Sequence, residues 1–171
     1  MGGKVGPGGD TPGVPNEAAI RGSSPRKVPV VGAMFVGVHE RQLDEKGRLA
    51  LPSAFRSLLG DSCYLVNGLD RCIDVLSRET FEAQAEDLMR RVRNRELSLS
   101  MQRAFAHSAT LVSVDKQGRV TLEDKLRQFA RLTPGSTVVV SGNLDRAEVW
   151  SAELYEHIAA SGRGELAGGR E

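Results

Sequence analysis

Cysteine and aromatic residues are scarce in this chain of 171 residues, and neither sign of charge is in excess. The two cysteines, Cys63 and Cys72, form no C-x-x-C pair, which argues against a disulfide framework or a zinc knuckle and for reduced, structural thiols. His39, His107 and His157 are far apart and show no H-x-x-x-H spacing, so no metal site is expected, and all three read as surface or packing residues. Trp150 and Tyr64 fall in strand-like stretches, where a core position outweighs a stacking role. No apolar run approaches the roughly 18 residues that cross a bilayer, and the N-terminus lacks the apolar core of a secretory signal, so a cytosolic protein is expected. P-loop, dinucleotide and G-x-S-x-G fingerprints are missing and the carboxylates are scattered, so neither an enzyme, a small-molecule substrate nor a cofactor is expected. Net charge is +1. Residues 34–162 carry 17 basic and 18 acidic side chains, so any polyanion must be met by a local patch rather than a global field.

What is present is an ordinary globular composition, 40% hydrophobic and 26% charged, enough for one domain or two similar halves. Residues 1–33 are rich in Gly and Pro without periodicity and read as a flexible extension; Met34 opens the foldable stretch directly, and one reading is that translation starts there. Residues 161–171 read as a frayed tail. Between them the chain repeats itself. Asp44-Glu45-Lys46-Gly47-Arg48 matches Asp115-Lys116-Gln117-Gly118-Arg119, and the same offset pairs Leu49 with Val120, Leu51 with Leu122, Phe55 with Leu126 and Arg56 with Arg127. Gly68-Leu69-Asp70-Arg71 matches Asn143-Leu144-Asp145-Arg146 at a longer offset, as an insertion near Thr133-Pro134-Gly135 would produce.

Each copy reads alike. Apolar residues alternate around the D-x-x-G-R segment, predicting strands either side of a hairpin turn. A short helix follows, with Phe55, Leu58 and Leu59 on one face and Leu126, Phe129 and Ala130 mirroring them; Pro52-Ser53 starts the first and Gly60 ends it. Two more strands and a helix capped by Ser77 or Ser151 complete each β-β-α-β-β-α unit, and a helix near Leu99–His107 links the halves. The first repeat is placed at 34–82, the linking helices at 83–108 and the second repeat at 109–160. The fold class is α+β, mainly β.

In the turn itself, Asp at the first position and Gly at the fourth suit a type I turn closed by a glycine bulge. Asp44 then faces Arg48, and Asp115 faces Arg119, so each pair can form a charge-assisted hydrogen bond that aims the arginine. One reading is a well-made hairpin with an exposed ion pair, worth about 0–1 kcal/mol. The other joins Arg48 and Arg119, with Lys46 and Lys116 on the same tips, into a β-ribbon that meets guanine edges in the major groove.

The stretch from Met34-Phe35-Val36-Gly37 through Leu43-Asp44-Glu45-Lys46-Gly47-Arg48 to Phe55-Arg56, with its second D-x-x-G-R near residue 115, closely resembles the MraZ family over about residues 34–160. The resemblance implies an AbrB-like, swapped-hairpin (double-split) β-barrel in which the halves act as a pseudo-dimer, and rings of several subunits. It further implies a nucleoid-associated repressor, bound to repeated boxes of duplex DNA upstream of the division and cell wall gene cluster. The DNA-contacting positions would be Asp44, Lys46, Gly47, Arg48, Asp115, Lys116, Gly118 and Arg119. Gln117 stands where the first copy has Lys46, so the two tips need not contribute equally. The alternative from another class is a ring-forming module whose charged tips bind a protein partner, as an antitoxin does. Arg90-Arg91-Val92-Arg93-Asn94-Arg95, the densest basic run, reads first as a solvated helix end and second as an auxiliary grip on phosphate.

Overall fold

The computed structural model describes residues 34–169 together with Gly2 and Gly3; the rest of the extension at residues 1–33, and residues 170–171, lie outside the described residues. The first half runs β1 (Val38–Gln42), β2 (Arg48–Ala50), α1 (Ser53–Leu59), β3 (Ser62–Asn67), β4 (Ile73–Leu76) and α2 (Arg78–Arg93). After α3 (Leu99–Ser108) the order returns as β5 (Thr110–Ser113), β6 (Arg119–Thr121), α4 (Asp124–Ala130), β7 (Thr137–Asn143), β8 (Arg146–Ser151) and α5 (Ala152–Leu166). The duplicated β-β-α-β-β-α order of an α+β chain is therefore present.

Strand pairing interlocks the halves. The main sheet has the order β1-β7-β8-β4-β3-β5. Each half keeps its third and fourth strands together but lends its first: β1 lies antiparallel on β7, with Glu40 opposite Val139, and β5 on β3, with Leu111 opposite Tyr64. The central junction is β4 against β8. β2 and β6 leave this sheet and form a ribbon of their own, Leu49 opposite Val120. Leu43, Leu49, Leu51, Val120 and Leu122 are buried in one core with Phe55 and Leu59 of α1, Leu126 and Ala130 of α4, and Ile73 and Val149 of the sheet. Residues four apart on such short helices share a face, so each helix can bury only one stripe. Each fully buried Leu or Phe contributes about 1.5–3 kcal/mol. The ribbon is thus tied to the sheet by its inward side chains.

The Ser77 and Ser151 hydroxyls accept from the amides of Thr80 and Leu154 and cap α2 and α5. Gly60 ends α1, but the helix opens after Pro52 without a side-chain cap. The loop arms do not run on as a long hairpin: past the bridge between Leu43 and Leu49, β1 turns to β7 and β2 to β6, where Leu49 and Val120 enter the common core. Helix α5 continues through the residues expected to fray as far as Leu166, although its last turns are exposed. The insertion falls between α4 and β7, where residues 131–136 replace the two-residue link Gly60-Asp61. Cys63 and Cys72 are buried free thiols, Trp150 is buried and donates to the Ser141 hydroxyl at 3.2 Å, and Tyr64 stacks on Phe81 at 3.8 Å between ring centres.

Candidate nucleic-acid interface

The two D-x-x-G-R segments fold into the same turn. Gly47 donates its amide to the Asp44 carbonyl at 3.0 Å and Gly118 to the Asp115 carbonyl at 2.9 Å, closing the first ring. Asp44 and Asp115 then donate to the carbonyls of Arg48 and Arg119 at 3.0 and 2.9 Å, with Gly47 at φ 76° and Gly118 at φ 75°. That left-handed conformation costs a side-chain-bearing residue energy and costs glycine none, which is why the fourth position is Gly.

The aspartate is consumed by the turn. Asp44 Oδ1 accepts from the amides of Lys46 at 2.9 Å and Arg48 at 2.8 Å, and its Oδ2 accepts from Arg48 Nε at 2.6 Å. Asp115 does the same with the amides of Gln117 and Arg119, both at 2.9 Å, and with Arg119 Nε at 2.9 Å. The Arg48 amide bond, joined by the Arg48 guanidinium against some desolvation, holds the Asp44 carboxyl below its ordinary range, and the Arg119 amide does so for Asp115. Asp44 and Asp115 are therefore orienting anions, ionised at neutral pH, with little left to offer a ligand. Each arginine is held by Nε alone, and no hydrogen bond reaches its Nη1 or Nη2 among the described residues.

The ribbon brings the two arginines together. In the antiparallel register Arg48 lies opposite Thr121, Ala50 opposite Arg119, and Leu49 opposite Val120. Because side chains alternate faces along a strand, the buried Leu49 and Val120 put Arg48, Ala50, Arg119 and Thr121 on the outer face. The result is a short two-fold platform with a guanidinium at each end, flanked by turns that carry the exposed Lys46 and Lys116. Lys46 is the third residue of its turn and Lys116 the second, so the tips are not equivalent in charge placement. All eight residues expected from the sequence belong to the two turns. Ala50 and Thr121, which complete the platform, were not singled out beforehand, although the alternation Arg-Leu-Ala and Arg-Val-Thr carried the signal.

A family model described as "MraZ protein, putative antitoxin-like" matches residues 34–98 and again 105–165, one match per half. The chain belongs to the MraZ family. It is similar to the transcriptional regulators MraZ of Paenarthrobacter aurescens (39% identity, covering 71% of this chain and 84% of that protein) and Cutibacterium acnes (37%, 72% and 85%). It is also similar to that of Lactiplantibacillus plantarum (40%, 73% and 87%). MraZ transcriptional regulators are not enzymes, and this member of the family is not one.

Other charged groups lie elsewhere. Arg90, Arg91 and Arg93 occupy the last turn of α2; Arg90 pairs with Asp87, and Arg91 with Glu96 at 3.3 Å, consistent with a solvated helix end. Cys72, Asp74 and Glu148 approach one another at the β4–β8 junction, but Arg146 already neutralises Asp74 at 3.0 Å. Desolvation raises the Asp74 carboxyl, and desolvation with the Asp74 and Glu148 carboxylates pushes the Cys72 thiol up. No helix among the described residues is long and apolar enough to cross a membrane.

Proposed function

We propose that this MraZ family member is a sequence-specific DNA-binding transcriptional regulator that lays the β2–β6 ribbon into the major groove. The observation that carries this reading is the pairing of Arg48 and Arg119 on one outward face, each fixed through Nε with its Nη edge unengaged. A guanidinium presented in that way offers two parallel donors, the geometry that matches O6 and N7 of guanine. Asp44, Asp115, Gly47 and Gly118 shape the turns, and Lys46 and Lys116 supply phosphate contacts. The curated relatives' description as transcriptional regulators supports the same role. The finer architecture is an AbrB-like barrel in which the ribbon bridges the two free edges of the sheet, a reading supported by the entry of β2 from β1 and of β6 from β5.

One ribbon on a nearly neutral protein touches few phosphates, so useful affinity requires several ribbons on successive boxes. A ring homo-oligomer supplies them, and exposed Val36, Val38, Met89, Leu99 and Met101 are the kind of apolar surface that self-association covers. The target is the promoter of the division and cell wall cluster, including this protein's own gene, which places the protein in the cytoplasm on the nucleoid. A footprint of purified protein upstream of its own gene tests this: protection at regularly spaced repeats is the expected result, and uniform or absent protection refutes it. The family's antitoxin-like description favours a second reading, in which the same tips bind a protein partner; salt-insensitive partner binding without any footprint would select it.

A further inference from the structure

Arg56 and Arg127 occupy the same position in the two halves, on α1 and α4, and each packs on the turn of the other half. A Cβ placed on Gly118 would collide with Nη1 and Cδ of Arg56 and stand 2.7 Å from its Cζ. A Cβ on Gly47 would stand 2.9 Å from the Leu122 carbonyl and 3.2 Å from Cζ and Nη1 of Arg127. Each arginine therefore lies against the glycine directly before the opposite half's recognition arginine. Backbone bonds follow the same crossing: Leu51 donates to the Gly118 carbonyl at 2.9 Å, and Leu122 to the Gly47 carbonyl at 2.8 Å. The Nε atoms of Arg56 and Arg127 are buried without a hydrogen-bond partner among the described residues. Leaving such a donor unpaired is costly, so Nε contributes no hydrogen bond to set against the close contact with the turn.

We infer that Arg56 is a positioning residue for Arg119, and Arg127 for Arg48: each acts as a wedge from one half that fixes the reading turn of the other. This rests on the DNA-binding reading above. The wedges are not alike. Arg127 is paired to Asp124, whereas Arg56 has Ser53 at that place and no ion pair among the described residues. A direct grip on phosphate by Arg56 fits less well, because the open concavity of about 390 Å³ beside it is also lined by the carboxylates of Asp61 and Asp115, which repel an anion. A wedge works through the bulk that meets Gly118, where Cδ of the stem stands beside Nη1 and Cζ, and a phosphate contact through the charge.

Operator affinity and its salt dependence, measured on the full-length chain carrying Arg56→Met or Arg56→Ala, separate these. Arg56→Met keeps the stem and is expected to bind within about threefold of the wild type, while Arg56→Ala loses on the order of tenfold, both with an unchanged salt slope. In a double-mutant cycle, Arg56→Ala adds nothing to Arg119→Ala but multiplies with Arg48→Ala. Equal losses for Met and Ala, a salt slope reduced by about one, or coupling to Arg48 instead of Arg119 overturns the wedge. Should Arg56→Ala not fold, near-wild-type binding by Arg56→Met still decides between bulk and charge. If the wild type itself ignores its promoter, the DNA reading fails as well; if the wild type binds and every Arg56 variant matches it, only the wedge fails.

Discussion

Leu49 and Val120 face each other at the centre of the β2–β6 ribbon, and both are turned into the core at 0% and 1% exposure. Their burial forces Arg48 and Arg119 onto the solvent side, since neighbours along a strand point to opposite faces. The outward face is thus set by what the ribbon hides.

Replacing Arg48 or Arg119 by Ala is expected to weaken specific operator binding by roughly 5- to 150-fold, the equivalent of about 1–3 kcal/mol per bidentate pair. The fold and the oligomer should survive, because neither guanidinium is part of the core. Gel-shift titration beside light scattering checks both halves of the statement. Unchanged operator affinity in either variant would remove that arginine from the interface.

Acid should loosen the turns. Asp44 and Asp115 titrate below the ordinary value of 3.8 because bound amides favour their ionised form. Their contribution is complete above that value and is lost as the pH falls through the lower, folded-state one. Carboxyl carbon shifts followed by NMR should give midpoints below 3.8 for both residues. Asp44→Asn should keep the turn but free Arg48, lowering operator affinity with little change in melting temperature; a midpoint at or above 3.8 contradicts the geometry.

Gly118→Ala is expected to cost stability by about 1 kcal/mol or more, since it meets a positive φ and the Arg56 side chain at once. Gly47→Ala meets the same φ and the Leu122 carbonyl. Chemical denaturation measures the loss. A variant as stable as the wild type would mean that the turn can adopt another form.

The thiols should be inert in the folded protein. Burial pushes the Cys63 thiol up to about 12, and burial with the nearby Asp74 and Glu148 carboxylates raises Cys72 further. A thiol reagent at neutral pH should modify neither until denaturant is added. Stability should also decline as the pH climbs past the ordinary 9.0, where only the unfolded chain ionises its thiols readily. Rapid labelling of the native protein would contradict this packing.

Much of each D-x-x-G-R turn was legible in the sequence, because its logic is local. An Asp that caps two amides and an arginine four residues away, and a Gly that accepts a positive φ, act within five residues, so Asp44–Arg48 and Asp115–Arg119 announce their shape. The Ser77 and Ser151 caps are local in the same sense. The alternation around Leu49 and Val120 showed which side of each strand would be buried, and the repeat showed that the halves are alike.

What the amino-acid order alone determined was the inventory: two copies of one unit, their elements, their turns and their inward faces. Which copy's strand would lie on which sheet, and that Arg56 would reach Gly118 rather than Gly47, was settled only by tertiary structure. The reason is that two near-identical halves present near-identical apolar faces, so periodicity cannot tell a strand's own neighbour from its counterpart. The exchange of β1 and β5 between halves, and the single platform shared by Arg48 and Arg119, come from long-range pairing: β1 on β7, β5 on β3, and β2 on β6 with Leu49 and Val120 turned into the common core.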